Sequence, residues 1–298
     1  MPEISVLMPV YNSEKYLKEA IESILNQTFE DFEFLMLYDK STDKSLEIIN
    51  SYNDSRIKII QCNSKGLVDA LNIGIDSAKG SFLARMDADD ISLPERFQKQ
   101  IEFLKKNPDV GVCGSWTEEF GEVPTRVFKY PSEPELVKAK LFFFCALAHP
   151  SVMMRKSFLD KYSLKYDEKQ KQAEDYEFWQ RCSFYFDIAN IPEVLLKYRI
   201  TSASKVQSNM NSMKEILKAL DRRNLEAMGI NPTEEELELH QAVCPLRLPP
   251  MPDDDEFKAK AEQWLSKLDS ANKKSQRYPE KIFSELIKER LTAVYAVK

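Results

Sequence analysis

Ile4 to Val10, Phe32 to Tyr38, Arg56 to Gln61 and Ser81 to Met86 are short strand-like runs, and segments with helical spacing lie between them. The first such segment runs from about Glu14 to Asn26, placing Tyr16, Leu17, Ala20, Ile21, Ile24 and Leu25 on one face, with Asn12 and Ser13 available as a cap. A second passes through Leu46, Ile49 and Tyr52, and a third spans Gly66 to Ser77. Ser92-Leu93-Pro94-Glu95 has the pattern of a capping box opening a helix to about Lys106, and Val110 to Trp116 is a further strand. This alternation confines the chain to an α/β fold with a mostly parallel sheet flanked by helices.

Glycine marks a change of architecture. Six of the seven glycines lie in the first 121 residues, so tight αβ turns cluster early. We place a break near residue 205. Beyond it we expect helices over about Val206 to Met228, Thr233 to His240, Asp253 to Ser270 and Pro279 to Val297, with Pro245 to Pro252 as a connector. The last helix puts Ile282, Phe283, Leu286, Ile287, Leu291 and Val294 on one face, for which packing on the catalytic domain is the default. His240 is expected on a helix surface, and Phe142-Phe143-Phe144 in a core rather than against lipid.

In open α/β sheets ligands bind beyond the carboxyl ends of the strands. The polar residues there are Tyr11 and Asn12, Asp39, the run Asn63 to Gly66, and Asp87-Ala88-Asp89-Asp90. Three carboxylates within four residues repel one another unless a cation joins them. In extended backbone Asp87 and Asp89 face one side. Asp90 stays open between ligand and helix cap, as Glu174 and Asp175 do between chemistry and ordinary dipole partners for a helix N-terminus.

Composition narrows the chemistry. With 42 basic and 48 acidic residues the net charge is −6, a poor footprint for nucleic acid. Two histidines, His149 and His240, cannot build a three-histidine zinc site, so a metal here would take carboxylate oxygen and be Mn²⁺, Mg²⁺ or Ca²⁺. The five cysteines contain no C-x-x-C pair and are expected as reduced, mostly buried thiols. Neither a P-loop nor a dinucleotide fingerprint is present. With no signal-peptide pattern and no long apolar run, we expect a cytoplasmic protein, with a peripheral contact at the inner membrane face kept open. From residue 206 onward 15 basic residues face 16 acidic ones, so the tail carries no strongly cationic patch for a membrane.

Taken in order, the motifs resemble family 2 glycosyltransferases. They are Ile4-Ser-Val-Leu-Met-Pro-Val-Tyr-Asn12, Ser23-Ile-Leu-Asn-Gln-Thr-Phe29, Asp39-Lys-Ser-Thr-Asp43, Lys65 to Gly74, Ala84-Arg-Met-Asp-Ala-Asp-Asp90, His149 to Lys156 and Glu174-Asp-Tyr-Glu-Phe-Trp179. They cover about residues 4 to 200. The resemblance implies the GT-A (nucleotide-diphosphosugar transferase) fold over 1–205, with a nucleotide-sugar half at about 1–116 and an acceptor half at 117–205. A C-terminal helical extension over 206–298 would follow. It further implies Mn²⁺ or Mg²⁺ as cofactor, a nucleotide-sugar donor, inversion at the anomeric carbon, and a glycan or lipid-linked oligosaccharide acceptor. Residue by residue, it implies Pro9, Tyr11, Asp39, Lys65, Asn72 and Asp87 at the nucleotide, Asp89 with Asp87 at the metal, and Asp175 as general base. His149, Glu174 and Arg199 take acceptor or auxiliary places, with Arg199 open between a phosphate partner and packing or a surface ion pair, and His149 between the acceptor site and a structural histidine. The subfamily it most resembles is bacterial β-1,3-galactosyl- or glucosyltransferases of surface-polysaccharide pathways, which points to UDP-galactose or UDP-glucose.

Three positions depart from the family pattern. Tyr38 stands where many members have an acid, Lys40 where they have glycine, and Thr201 where they often have histidine. The Lys40 change puts the turn's geometry in doubt. Two rivals are weighed: a non-catalytic sugar-nucleotide-binding relative, kept alive by these departures, and a sugar nucleotidyltransferase. The latter should carry a Gly- and Arg-rich phosphate loop that Pro9 to Ser13 lacks.

Overall fold

The strand-like runs form the sheet that the alternation demands. The computed structural model describes residues 1–63, 66–170, 172–201, 210–244 and 252–296. Strands β1 (Ile4–Val10), β2 (Phe32–Tyr38), β3 (Ile57–Gln61) and β4 (Phe82–Arg85) pair in parallel in the order β3-β2-β1-β4. Ile4 stands opposite both Phe32 and Phe82, so the carboxyl ends of the central strands come out side by side. Their side chains are buried on both faces, as expected for parallel strands covered by helices α1 (Leu17–Leu25), α2 (Ser45–Asn50), α3 (Leu67–Ser77) and α4 (Arg96–Lys106).

Past β4 the sheet becomes mixed. Strand β8 (Met153–Arg155) pairs antiparallel with both β4 and β6 (Val110–Gly121), and β9 (Asp187–Ile200) runs parallel to β6. The two-residue β5 (Ile91–Ser92) pairs antiparallel with β9, and β7 (Arg126–Phe128) lies against β6. Strand β6 outruns its expected end at Trp116 because β9 continues to pair with it as far as Gly121 opposite Ile200. A 3₁₀ turn at His149–Ser151 precedes β8, and α6 (Lys156–Tyr162) and α7 (Glu174–Cys182) precede β9.

Two helix starts differ from expectation. Helix α1 begins at Leu17, and the backbone N–H groups of Ser13 and Glu14 before it go to Ser45 Oγ at the start of α2 and to Asp43 Oδ2 in the β2–α2 loop. The Ser92 to Glu95 capping box does not form. Helix α4 starts at Arg96 with no side-chain cap, while Ser92 pairs as a strand residue with Leu196.

The chain divides into two compact units: Met1–Ser132 with Leu147–Ser208, and Glu133–Ala146 with Asn209–Lys298. The Glu133–Ala146 segment, inside the range read from sequence as the acceptor half, therefore clusters with the C-terminal helices. That second unit contains α5 (Pro134–Lys140), α8 (Met210–Ala227), α9 (Glu234–Val243), α10 (Asp255–Ser275) and α11 (Glu280–Ala296). Thr233 caps α9 in a reciprocal capping box with Glu236. Its core is aromatic: Phe142 meets the rings of Phe143, His240, Tyr278 and Phe283. His240 is therefore fully buried, not on a surface, and its Nδ1 accepts a hydrogen bond from Trp264 Nε1 at 3.3 Å. The apolar face of α11 buries Phe283, Leu286, Ile287 and Val294 within this unit. The expected Pro-rich connector falls mostly on 245–251, outside the described residues. Among the described residues, no helix is long and apolar enough to cross a membrane.

Candidate active site

A cavity of about 740 Å³ opens beyond the carboxyl ends of β1, β2 and β4. Pro9, Val10, Tyr11 and Asn12 from the end of β1, and Leu37 and Asp39 from β2, line one side. Asp87, Ala88 and Asp89 enter from the turn after β4, and Tyr16, Glu122 and Thr201 are among the other residues that line the cavity. Of the residues expected at the nucleotide or metal, Pro9, Tyr11, Asp39, Asp87 and Asp89 thus share one cavity. Lys65 lies outside the described residues.

The nucleotide-side loops are zipped together. Asn12 Oδ1 accepts from the Thr42 backbone N–H at 2.8 Å, and Asn12 N–H donates to Ser41 Oγ at 3.1 Å. Glu14 bonds twice across the same gap: its N–H donates to Asp43 Oδ2 at 2.9 Å, and its carboxylate accepts the Lys44 N–H at 2.9 Å. Asn12 adopts φ 47°, a left-handed conformation that asparagine tolerates. The departures at Tyr38 and Lys40 leave the turn intact. Lys40 is not among the residues with positive φ, so no glycine is needed there, and the buried Tyr38 hydroxyl accepts the Ser41 N–H at 3.2 Å.

The acidic turn is the electrostatic centre. Oxygens of Asp87, Asp89 and Asp90 lie within 4.8 Å of one another. A turn at residues 88–89 brings them together, rather than the strand alternation expected from sequence, which is why a third acid can join. Burial, and then the charge of Asp87, push Asp89 up to about 6, against the pull of Arg85 and Arg199. Asp90 is 1% exposed; burial, then Asp87 and Asp89, hold its carboxyl well above the usual range. Its Oδ1 accepts the Arg199 backbone N–H at 2.7 Å, whereas its buried Oδ2 has no hydrogen-bond partner among the described residues. Asp90 is thus not a helix cap. An orphaned, buried carboxylate oxygen beside two further carboxylates fits a divalent cation held by oxygen.

Arg85 is the residue that sequence reasoning passed over. It is 3% exposed, forms an ion pair with Asp87, and also draws down Glu174 at the start of α7. Its guanidinium therefore stands electrostatically between the two acidic motifs. The signal was present: an arginine closing an otherwise apolar buried strand needs a partner.

The remaining expected residues sit apart from the cavity wall. Glu174 and Asp175 open α7, where Asp175 Oδ1 accepts the Tyr176 N–H at 2.7 Å. Burial, and then Asp175, push Glu174 up to about 7. His149 is buried with Nε2 2.8 Å from the Tyr166 hydroxyl, and burial, then Arg85, press its pKa well down. Asn72 uses both ends of its amide on the Tyr166 backbone, at 2.9 and 3.0 Å, and so anchors the segment leading to α7. Arg199 is held by protein groups rather than turned to the cavity, as developed below.

A family model described as glycosyl transferase family 2 matches residues 5–163. An uncharacterized glycosyltransferase of Methanocaldococcus jannaschii is 39% identical over 72% of this chain and 76% of its own length. The O-antigen biosynthesis glycosyltransferase WbnJ of Escherichia coli is 34% identical over 69% of this chain and 82% of its own. Among solved structures, S. aureus TarS 1-349 in complex with UDP superposes with a TM-score of 0.63 at 21% identity, covering 98% of this chain and 89% of that one.

Proposed function

This chain belongs to glycosyl transferase family 2 and has a GT-A fold, and on that premise we propose that it is a metal-dependent, inverting hexosyltransferase. Its donor in this reading is UDP-galactose or UDP-glucose, and its acceptor a hydroxyl of a glycan or lipid-linked oligosaccharide in surface-polysaccharide synthesis. The names of relatives such as WbnJ favour that setting. The observation that carries the reading is the cavity beyond the parallel strands, lined both by Pro9, Tyr11 and Asp39 from the ends of β1 and β2 and by Asp87 and Asp89 from the turn after β4. Strand-end residues of this kind suit a nucleoside near Pro9, Tyr11 and Asp39 and a diphosphate near the acidic turn.

Asp39 would accept a hydrogen bond from the uracil N3–H. Asp89, with Asp87 and Asp90 around it, would hold Mn²⁺ or Mg²⁺, the cation fitting the orphaned Asp90 oxygen. When bound, such a cation supplies positive charge against the departing diphosphate. Arg85 keeps Asp87 oriented through their ion pair. Lys15, which also lines the cavity, offers a further positive charge on the phosphate side. Asp175 takes the proton of the acceptor hydroxyl as that oxygen attacks the anomeric carbon, since an alcohol is a weak nucleophile without a positioned base.

A donor screen tests this reading. Purified protein is mixed with Mn²⁺ or Mg²⁺ and a panel of UDP-, GDP-, dTDP- and CMP-sugars, with thermal shift and donor hydrolysis as readouts. The expected result is metal-dependent stabilisation and slow hydrolysis confined to UDP-galactose or UDP-glucose. Response to a different nucleotide, or none to any, overturns the donor assignment.

A further inference from the structure

Arg199 stands near the end of β9, two residues before the cavity-lining Thr201, and only 10% of its side chain is exposed. Three of its groups are taken by protein. Its backbone N–H donates to Asp90 Oδ1 at 2.7 Å, its Nε donates to the Asp89 backbone oxygen at 2.6 Å, and its Nη2 pairs with Glu19 on α1. The guanidinium lies between two rings, 4.2 Å from the centroid of Tyr16 and 4.4 Å from that of Phe120. One side chain therefore ties together α1, the end of β6 and the acidic turn.

These contacts differ in kind from those of a phosphate ligand. Arg199 grips Asp89 through its main-chain oxygen and leaves the Asp89 carboxylate to the cavity. The turn it grips carries three carboxylates that repel one another, so without an anchor the turn relaxes outward and the ligand geometry is lost. A planar guanidinium suits this anchor because it can donate in its plane while its faces stack on rings; an ammonium cannot do both.

We infer that Arg199 is a positioning residue for the acidic turn: it sets the Asp89 carboxylate for a divalent cation and does not itself touch the diphosphate. This rests on the functional reading above. Glu19 is the outer arm of the same device, 53% exposed on α1 and not itself part of the cavity lining.

The experiment compares UDP affinity by calorimetry with Mn²⁺ and with EDTA for wild type, Arg199→Lys and Glu19→Gln, with Mn²⁺ occupancy followed separately by electron paramagnetic resonance. For Arg199→Lys the Mn²⁺-dependent gain in UDP affinity should fall about tenfold, the order expected for losing an outer support of a metal ligand, while affinity in EDTA holds. Glu19→Gln should show a smaller loss of the same kind at an unchanged thermal midpoint, which keeps the test alive if Arg199→Lys folds poorly. A full Mn²⁺-dependent gain in Glu19→Gln and in folded Arg199→Lys overturns the role. An equal loss in EDTA also overturns it, by making Arg199 a direct nucleotide or phosphate contact. A wild type that shows no Mn²⁺-dependent UDP binding fails at the earlier step and removes the functional reading, and this role with it.

Discussion

One sheet buries carboxylates at both of its ends and treats them in opposite ways. At the amino ends of the strands, Glu33 is 3% exposed and fully answered. Ser5 Oγ donates to it at 2.6 Å, the Lys79 N–H at 2.7 Å, and Lys58 Nζ pairs with it at 2.5 Å. Burial pushes Glu33 up, but the bonds from Lys58, Ser5 and Lys79 outweigh it and hold the carboxyl below its usual range. At the carboxyl ends, Asp90 is buried as deeply, keeps one oxygen without a partner among the described residues, and is held well above that range by burial and by Asp87 and Asp89. The first arrangement stabilises the fold. The second leaves an electrostatic demand that a ligand can meet, and such local conflict is what functional sites retain.

The sharpest way to break this comparison is at the acidic turn. Asp89→Ala should cut turnover by about 10²- to 10³-fold or more, as for loss of a group that stabilises developing charge. Its thermal midpoint without metal should hold or rise, because one repelling carboxylate is gone. A midpoint that falls sharply would put Asp89 in the same class as Glu33. Next in size, Asp175→Asn should lower kcat by about 10²-fold or more, with UDP affinity near normal, as for loss of a general base. Turnover near wild type would remove Asp175 from the mechanism.

At the other pole, Glu33→Ala should lower stability by about 1–3 kcal/mol, since it strands the Lys79 N–H and the Ser5 hydroxyl, while UDP affinity stays unchanged. The pH dependence follows from the depressed value: the stabilisation is present above the ordinary 4.5 and is lost as pH falls through the folded value. Glu33→Gln should therefore flatten the acid limb of a midpoint-against-pH curve. The smallest effect has the opposite sign. Glu174 rises from 4.5 to about 7 on folding, so its contribution is full below pH 4.5 and is lost as pH rises towards 7. Glu174→Gln should flatten the curve across that window, and an unchanged slope there would show that Glu174 titrates normally.

Much of this architecture was legible in the chain. The limits of β1 and β2 coincide with their largely apolar runs, because strands buried on both faces are near-continuously apolar, here broken only by the paired Ser5 and Glu33. Pro9, Tyr11, Asp39, Asp87 and Asp89 could be named because each sits where a strand ends, and strand ends in such sheets converge. What the chain did not reveal has a common cause. Asn72 looked available for a nucleotide, but its amide is closed on Tyr166, 94 positions away. His240 looked exposed on an acidic helix, yet Phe142 and Trp264 enclose it. Arg85 passed unnoticed because its partners are split between its own turn and α7.

By itself, the sequence determined the order of strands and helices in the first half and the placing of acids at strand ends, carried by short-range periodicity, and the membership of family 2, carried by local motifs. Only the tertiary structure decided which buried acid is satisfied and which is left wanting, that Arg199 is spent on the Asp89 turn, and that Glu133–Ala146 clusters with the C-terminal helices. The physical reason is that burial and pairing are properties of neighbours in space. Glu33 finds Ser5 28 residues away and Asp90 finds Arg199 109 away, separations at which no local pattern constrains the partner.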